Sequence, residues 1–347
     1  MKIGNFDINE GSKCFMVAEL SANHKQDLSI AIETIRAAKR AGADAIKLQT
    51  YTPDTLTIDC DNDYFKISHG TLWDGSTLYD LYKSAYTPWD WHKKLFEVAA
   101  EEGLVCFSSP FDKTAVDFLE DLGAPAYKIA SFEIQDIPLI EYAASKGKPM
   151  IISTGIATLE DISLAIDTCH SVGNHDIMLL KCTSSYPAPI DLANLHTMTD
   201  IRERFKVQVG ISDHTIGNVV PIVAVALGAK MIEKHFILDR SIGGPDADFS
   251  LDEKEFKSLV EETRNAEAAL GKVNYAIHER IEKNRKFAKS LFVVSDIKKG
   301  DFITEENVRS IRPGFGLHPK FYKQIMGQQV KSDLKRGHPL AWEDLEN

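Results

Sequence analysis

The sequence predicts a (β/α)8 TIM barrel followed by a small, mostly β C-terminal module, and three observations carry that prediction. Short apolar runs alternate with amphipathic, helix-like stretches for eight rounds within roughly 270 residues, the pattern of a parallel sheet closed on itself. No Gly-x-Gly-x-x-Gly follows the first run, which removes the usual mark of an open dinucleotide-binding sheet. Past residue 289 the helical spacing stops, and brief strands separated by rigid turns take over. A chain of 347 residues can bury one large core and carry a smaller one. The expected divisions are residues 1–275 for the barrel, 276–289 for a linker helix and 290–347 for the tail.

The expected strands are 14–20, 45–49, 104–108, 126–130, 149–153, 177–182, 207–212 and 230–236, with helical patterns between them at 28–41, 89–102, 113–122, 139–146, 159–172 and 218–227. Most end in polar residues. The first strand closes on Glu19 with Asn23 and His24 just beyond, the second on Lys47 and Gln49, and the third on Ser108, Ser109 and Pro110. The fourth runs from Lys128 to Ser131 and Glu133, the fifth gives Ser153, and the sixth gives Lys181, Ser184 and Tyr186. In a barrel such positions ring the catalytic face.

The connection 53–88 is far longer than the usual few residues. Its aromatic content (Tyr64, Phe65, Trp73, Tyr79, Tyr82, Tyr86) opposes disorder and suits a lid over the mouth, although packing on the next helix explains it equally well.

His214 and His235 close the last two strands, with room for one helix between them. Parallel neighbours lie about 4.8 Å apart and end on the same side, so both imidazoles would open onto one mouth within reach of a single metal ion. Taken alone, each histidine reads more readily as a satisfied core or loop residue; two of them on successive strand ends turn the reading to a metal. Asp213 and Glu233 beside them would orient a ring or hold a water. Lys47, Lys128, Lys181 and Lys234 all lie inside strands, where a lysine is costly unless its charge is matched. Convergence of at least two of them with the serines would build a cradle for phosphate or carboxylate. Asp246, in Gly243-Gly244-Pro245-Asp246, follows a turn that could direct it to the same mouth.

Charged residues make up 26% of the chain and hydrophobic ones 44%, ordinary values for a globular protein. A formal charge of −11 argues against a nucleic-acid groove. Five scattered cysteines without paired spacing suit reduced thiols, no apolar run is long enough to span a membrane, and the N-terminus lacks a signal-peptide pattern. The cytoplasm is the expected location.

Taken together, the motifs resemble the sialic acid synthase family. They are Ala18-Glu19-Leu20 with Asn23-His24, Lys47-Leu48-Gln49-Thr50, Ser108-Ser109-Pro110-Phe111, Tyr127-Lys128-Ile129-Ala130-Ser131, Ser153-Thr154-Gly155, Cys182-Thr183-Ser184-Ser185-Tyr186-Pro187, Ser212-Asp213-His214-Thr215, Glu233-Lys234-His235, Gly244-Pro245-Asp246 and Arg312-Pro313-Gly314. The tail is similar to the antifreeze-like SAF (β-clip) domain of that family. Gly70-Thr71-Leu72-Trp73-Asp74-Gly75 with Tyr86-Thr87-Pro88-Trp89 resembles most the pseudaminic acid synthase branch, and Phe315 and Ser184 depart from the asparagines usual in sialic acid synthases.

The resemblance implies metal-dependent condensation of phosphoenolpyruvate with an open-chain acetamido sugar, giving a nine-carbon nonulosonic acid and phosphate. It implies Mn²⁺ or Mg²⁺ on His214 and His235. Phosphoenolpyruvate would be held by Lys47, Ser109, Lys128, Ser131, Ser153, Ser184 and Ser212. Glu19 and Glu133 would act as acid and base, and Gln49, Tyr186, Asp246 and Arg312 would contact the sugar, Arg312 from the partner chain of a domain-swapped homodimer. Alternatives are an N-acetylneuraminate or legionaminic acid synthase, a Schiff-base aldolase or lyase using Lys128 or Lys181, and a non-catalytic carbohydrate-binding protein suggested by the tail.

Overall fold

The structure, a computed structural model, describes residues 1–68 and 73–346. It divides into two compact units, Met1–Gly271 and Lys272–Asn347.

In the first unit eight parallel strands close into a barrel: β1 (Phe15–Glu19), β2 (Ala45–Thr50), β3 (Val105–Pro110), β4 (Tyr127–Ile129), β5 (Met150–Ser153), β6 (Ile177–Cys182), β7 (Gln208–Ser212) and β8 (Met231–His235). Each pairs with the next, and β8 pairs with β1 in a register that sets His235 beside Glu19 and Lys234 beside Ala18. Closure thus joins residues more than two hundred positions apart.

Alternation along the strands builds two cores. Side chains of one parity (Phe15, Val17, Ala45, Val105, Phe107, Ile151, Met178, Leu180, Met231) fill the barrel interior, with Ile3 and Ile8 of an N-terminal hairpin packed among them. The other parity (Met16, Ile46, Leu48, Ile129, Ile152, Leu179, Ile211, Ile232) meets the surrounding helices. Gly210 is required inside, because a Cβ there would lie 2.5 Å from the Met231 carbonyl and 2.9 Å from Leu180.

The helices begin where a side chain can take up free backbone N–H groups. Asp27 caps α1 (Leu28–Arg40), Asp112 caps α5 (Lys113–Asp121), and Thr158 forms a capping box on α7 (Leu159–Ser171). The others are α4 (Trp89–Glu101), α6 (Ile137–Ser145), α8 (His196–Phe205), α9 (Val219–Ala226) and α10 (Glu253–Leu270). Helix α8 has no counterpart among the expected helical patterns: only Met198 and Ile201 are buried, too few to show a 3.6-residue period.

The long second connection is ordered where described. It contains α2 (Pro53–Leu56) and α3 (Leu78–Ala85), tied by an antiparallel bridge between Lys66 and Thr77. Of the Gly70–Gly75 motif, residues 70–72 lie outside the described residues.

In the second unit β9 (Ser290–Val293) pairs antiparallel with β10 (Val308–Ile311) over a small core of Leu291, Val293, Ile303, Ile325, Val330 and Leu340. The stretch 276–289, expected as a linker helix, holds only α11 (Glu279–Glu282) and a 3-10 turn, Lys283–Phe287. Every residue in it is exposed, so no apolar face supports a longer helix.

Candidate active site

The interior parity changes character along each strand: apolar where the N-terminal hairpin packs, polar at the C-terminal ends. Glu19, Lys47, Gln49, Lys128, Ser153, Ser212, Glu233 and His235 are the last one or two inward residues of their strands, and with His214 they line a cavity of about 530 Å³. Its wall on one side comes from Leu56, Ile67, Trp73, Leu78, Leu81 and Tyr82 of the long connection, with Tyr64 and Lys66, and from Phe111; Ser131, Glu133, Tyr186 and Asp246 are also in the lining.

A continuous polar chain crosses the floor. Ser21 donates to Asp246 at 2.5 Å, and Gln49 donates to Ser21 at 2.9 Å and to Glu19 at 3.1 Å. Lys47 reaches Glu19 at 3.0 Å and Glu233 at 2.9 Å; Lys128 and Ser212 reach the same Glu233 oxygen at 3.1 and 3.0 Å. Burial alone would discharge these groups. For Glu19 the opposing charge of Lys47, helped by His235, wins and holds the carboxyl well below its usual range. Lys47, between two carboxylates, is held above its usual value, whereas burial pulls Lys128 down despite Glu233.

Glu233 therefore bridges two lysines instead of orienting a histidine ring. Two of the four strand lysines converge. Lys234, on the outward parity, pairs with Asp213 at 2.6 Å, which also corrects the ring-orienting role expected of Asp213. Lys181, also outward, donates to the Cys182 carbonyl at 2.7 Å and does not line the cavity.

The imidazoles of His214 and His235 lie with ring centroids 5.3 Å apart. His214 engages the Thr183 carbonyl through Nδ1 at 3.0 Å, leaving Nε2 for another partner. His235 has Glu19 at 3.5 Å and Asp246 at 3.6 Å, and burial lowers its pKa, which favours the neutral, metal-binding form. Its Nδ1 is buried with no hydrogen-bond partner. Tyr186 packs on both rings and on Trp73, whose indole N–H donates to the Pro245 carbonyl at 3.2 Å.

Four further polar atoms near this floor are buried without partners: Ser109 Oγ, Ser153 Oγ, Glu133 Oε2 and Glu233 Oε2. Groups in this condition cost stability unless a ligand satisfies them. Burial, to which Asp136 adds, raises the Glu133 carboxyl to about 7, against the pull of Lys128 and Lys47. Ser131 accepts from the Gly155 N–H at 3.2 Å, and Ser184 lies beside it: a Cβ on Gly155 would meet Ser184 Oγ at 2.0 Å and Ser131 Oγ at 2.7 Å. Ser109 and Ser184 do not line the main cavity. Arg312 belongs to the second unit, where it follows β10.

Ser21, Tyr51, Phe111 and Cys182 were given no role by the sequence, and Glu233 was expected beside His235 but not as the bridge between two lysines. Strand parity signals Cys182 and Glu233, both two or four residues from an expected inward residue. Burial raises the Cys182 thiol, but the His214 ring outweighs it and brings the thiol down to about 7.

Comparisons with known proteins agree with this geometry. Residues 34–275 match the NeuB family and residues 288–346 match the SAF domain. The chain is 50% identical over 346 residues to the pseudaminic acid synthase of Campylobacter jejuni subsp. jejuni serotype O:2, covering 100% of both chains. It is 52% identical over 332 residues to the pseudaminic acid synthase of Helicobacter pylori, covering 95% of this chain and 97% of that one. The crystal structure of the N-acetylneuraminic acid (sialic acid) synthetase of Leptospira borgpetersenii serovar Hardjo-bovis, in complex with citrate, superposes with a TM-score of 0.72 at 31% identity, covering 82% of this chain and 94% of that one. With its lysines, histidines and carboxylates gathered at the C-terminal mouth of a closed barrel, the chain belongs to the NeuB family and ends in a SAF domain.

Proposed function

We propose that this protein is a pseudaminic acid synthase, condensing phosphoenolpyruvate with open-chain 2,4-diacetamido-2,4,6-trideoxy-L-altrose to give a nine-carbon nonulosonic acid and phosphate. Full-length similarity to two proteins of that name supports the choice of sugar. The observation that carries the chemistry is the floor itself: two buried ammonium groups held by one carboxylate, with unpartnered hydroxyls beside them.

Lys47 and Lys128 supply positive charge for the phosphate and carboxylate of phosphoenolpyruvate. Glu233 fixes both before substrate arrives, so little reorganisation is needed. Ser153 has a free hydroxyl to donate to a phosphate oxygen, and Ser131 and Ser212 line the same cavity; Ser109 and Ser184 stand outside that lining and would reach the phosphate only if the site adjusts on binding. Gln49, Tyr186 and Asp246 would hold the sugar.

Carbon-3 of phosphoenolpyruvate uses its enol π pair to form a bond to the aldehyde carbon, and the aldehyde oxygen takes a proton. Water adds to the resulting cation at carbon-2, and the tetrahedral intermediate expels phosphate. Glu133, protonated up to about pH 7, suits the proton donor; Glu19, held ionised by Lys47, suits the base that guides water.

The two imidazoles fit a divalent ion: His214 has Nε2 to offer, His235 has an unpartnered Nδ1, and two carboxylates stand beside His235. Among the described residues no group of three or more His, Cys, Asp or Glu side chains is arranged to hold a metal ion, so the proposed ion rests on the two imidazoles. Imidazole donors suit Mn²⁺ better than Mg²⁺. Such an ion would polarise the sugar aldehyde as a Lewis acid.

The proposal includes a homodimer with exchanged tails, Arg312 entering the partner's site, and a cytoplasmic location. The dimer rests on the SAF resemblance, the location on five free thiols. Mixing Arg312→Ala chains with His235→Ala chains should restore turnover if the tails exchange. The deciding experiment offers phosphoenolpyruvate with N-acetylmannosamine, the diacetamido altrose or its legionaminic counterpart, and weighs the product. A product from N-acetylmannosamine alone would overturn the assignment of the sugar.

A further inference from the structure

Helix α3 is amphipathic, yet its apolar face meets no protein core. Leu78, Leu81, Tyr82 and Ala85 recur at helical spacing and all line the cavity, while Asp80, Lys83 and Ser84 are exposed on the other side. Leu56, Ile67 and Phe111 extend the same apolar surface. Among the described residues, none of these side chains belongs to either core of the barrel. The α3 face is fixed in place by the Thr77 cap, by the Leu78 N–H donated to the Phe65 carbonyl at 2.8 Å, and by Tyr51, which packs edge-on against both Tyr82 and Phe111.

We infer that this face is the specificity wall for the acceptor: it receives the methyl groups of the sugar, those of its acetamido substituents and of its 6-deoxy carbon. The inference rests on the function proposed above and deepens it. The wall shares its cavity with Glu19, Glu133 and His235, so a sugar whose aldehyde sits at the charged floor has its remote substituents available for the wall. An acetamido, 6-deoxy sugar is polar along its carbon chain and apolar only at those methyls. A hydroxyl placed against Leu78, Leu81 or Ile67 would lose water without gaining a hydrogen bond, which disfavours a 6-hydroxy acceptor.

The test compares wild type, Leu81→Asn and Leu81→Met. The first is close in volume but polar, and the second keeps an apolar surface. With the diacetamido altrose, Leu81→Asn should lose roughly tenfold or more in kcat/KM, and its preference over the 6-hydroxy analogue should shrink by a similar factor. Leu81→Met should stay within about threefold of wild type, since volume-conserving apolar exchanges are tolerated best. The KM for phosphoenolpyruvate should be the same in all three.

Saturation-transfer NMR with the reduced alditol of the sugar, which cannot condense, reads the contact without turnover: the methyl signals should be strongest in wild type and weakened in Leu81→Asn. If wild type turns over the sugar but Leu81→Asn leaves both preference and methyl signals unchanged, the wall is overturned while the proposed function stands. If no acceptor is turned over yet the methyl signals depend on Leu81, the proposed function falls and the wall remains. If Leu81→Asn instead converts a dimer to monomers in sedimentation without altering sugar preference, the face covers a second copy and the inference is refuted.

Discussion

Replacing Glu133 by Gln removes a carboxyl that the fold holds against its own ionisation. Its side chain is half-buried, but Oε2 is buried without a partner, and the pKa stands at about 7 against an ordinary 4.5. An acid whose folded pKa is raised binds its proton more tightly in the folded state, so it costs nothing below the unfolded pKa. Above that, the cost grows with pH until the folded pKa is passed and is constant beyond it. Taking about 1.4 kcal/mol per tenfold change in acidity, the full cost is about 3 kcal/mol at pH 8 and about 1 kcal/mol at pH 5. Glutamine matches the protonated carboxyl in shape and hydrogen bonding, so the variant should be more stable than wild type by roughly these amounts.

For a unit the size of this barrel, the difference between the two pH values corresponds to about 5 °C in the midpoint of its thermal transition. Calorimetry of both proteins at pH 5 and pH 8 measures it directly. An equal shift at both pH values, or a variant less stable than wild type at pH 8, would refute the reasoning, since either means that the carboxylate is ionised and paired. In the same variant the loss of turnover should be largest where wild-type Glu133 carries its proton, below about pH 7.

Glu233→Gln leaves Lys47 and Lys128 without their shared carboxylate and should destabilise the barrel by about 3–5 kcal/mol, the cost of breaking a buried pair. Denaturant unfolding measures it, and a change under about 1 kcal/mol would show that Glu19 alone satisfies the lysines. His214→Ala and His235→Ala should each lower bound Mn²⁺, measured by elemental analysis after dialysis, while far-UV circular dichroism stays unchanged; undiminished metal content in both would remove the site. Gly155→Ala should raise the KM for phosphoenolpyruvate roughly tenfold or more, as expected when atoms at a binding site are displaced by about 1 Å, because its Cβ would force Ser184 and Ser131 aside; an unchanged KM would separate that pair from phosphate binding.

Residue chemistry alone determined the eight alternations, the polar strand ends and the two histidines on successive strands. These are local properties: period two belongs to the strand, and the change from apolar to polar is written along each run. Within a strand of known register the inward set Glu19, Lys47, Lys128, Ser212, Glu233 and His235 follows too. Yet a one-residue error in register turns every side chain to the other face, so four strand lysines look alike until the barrel is closed.

Tertiary structure decided which of them matter. Pairing β8 with β1 sets His235 beside Glu19, and curvature brings Lys47 and Lys128 onto the one carboxylate of Glu233, while Lys181 and Lys234 turn outward. It also decided that α3 offers its leucines to the cavity instead of the core. Amphipathicity specifies that a helix has an apolar side; what that side faces depends on closure of the whole sheet, a long-range event that no window of sequence contains.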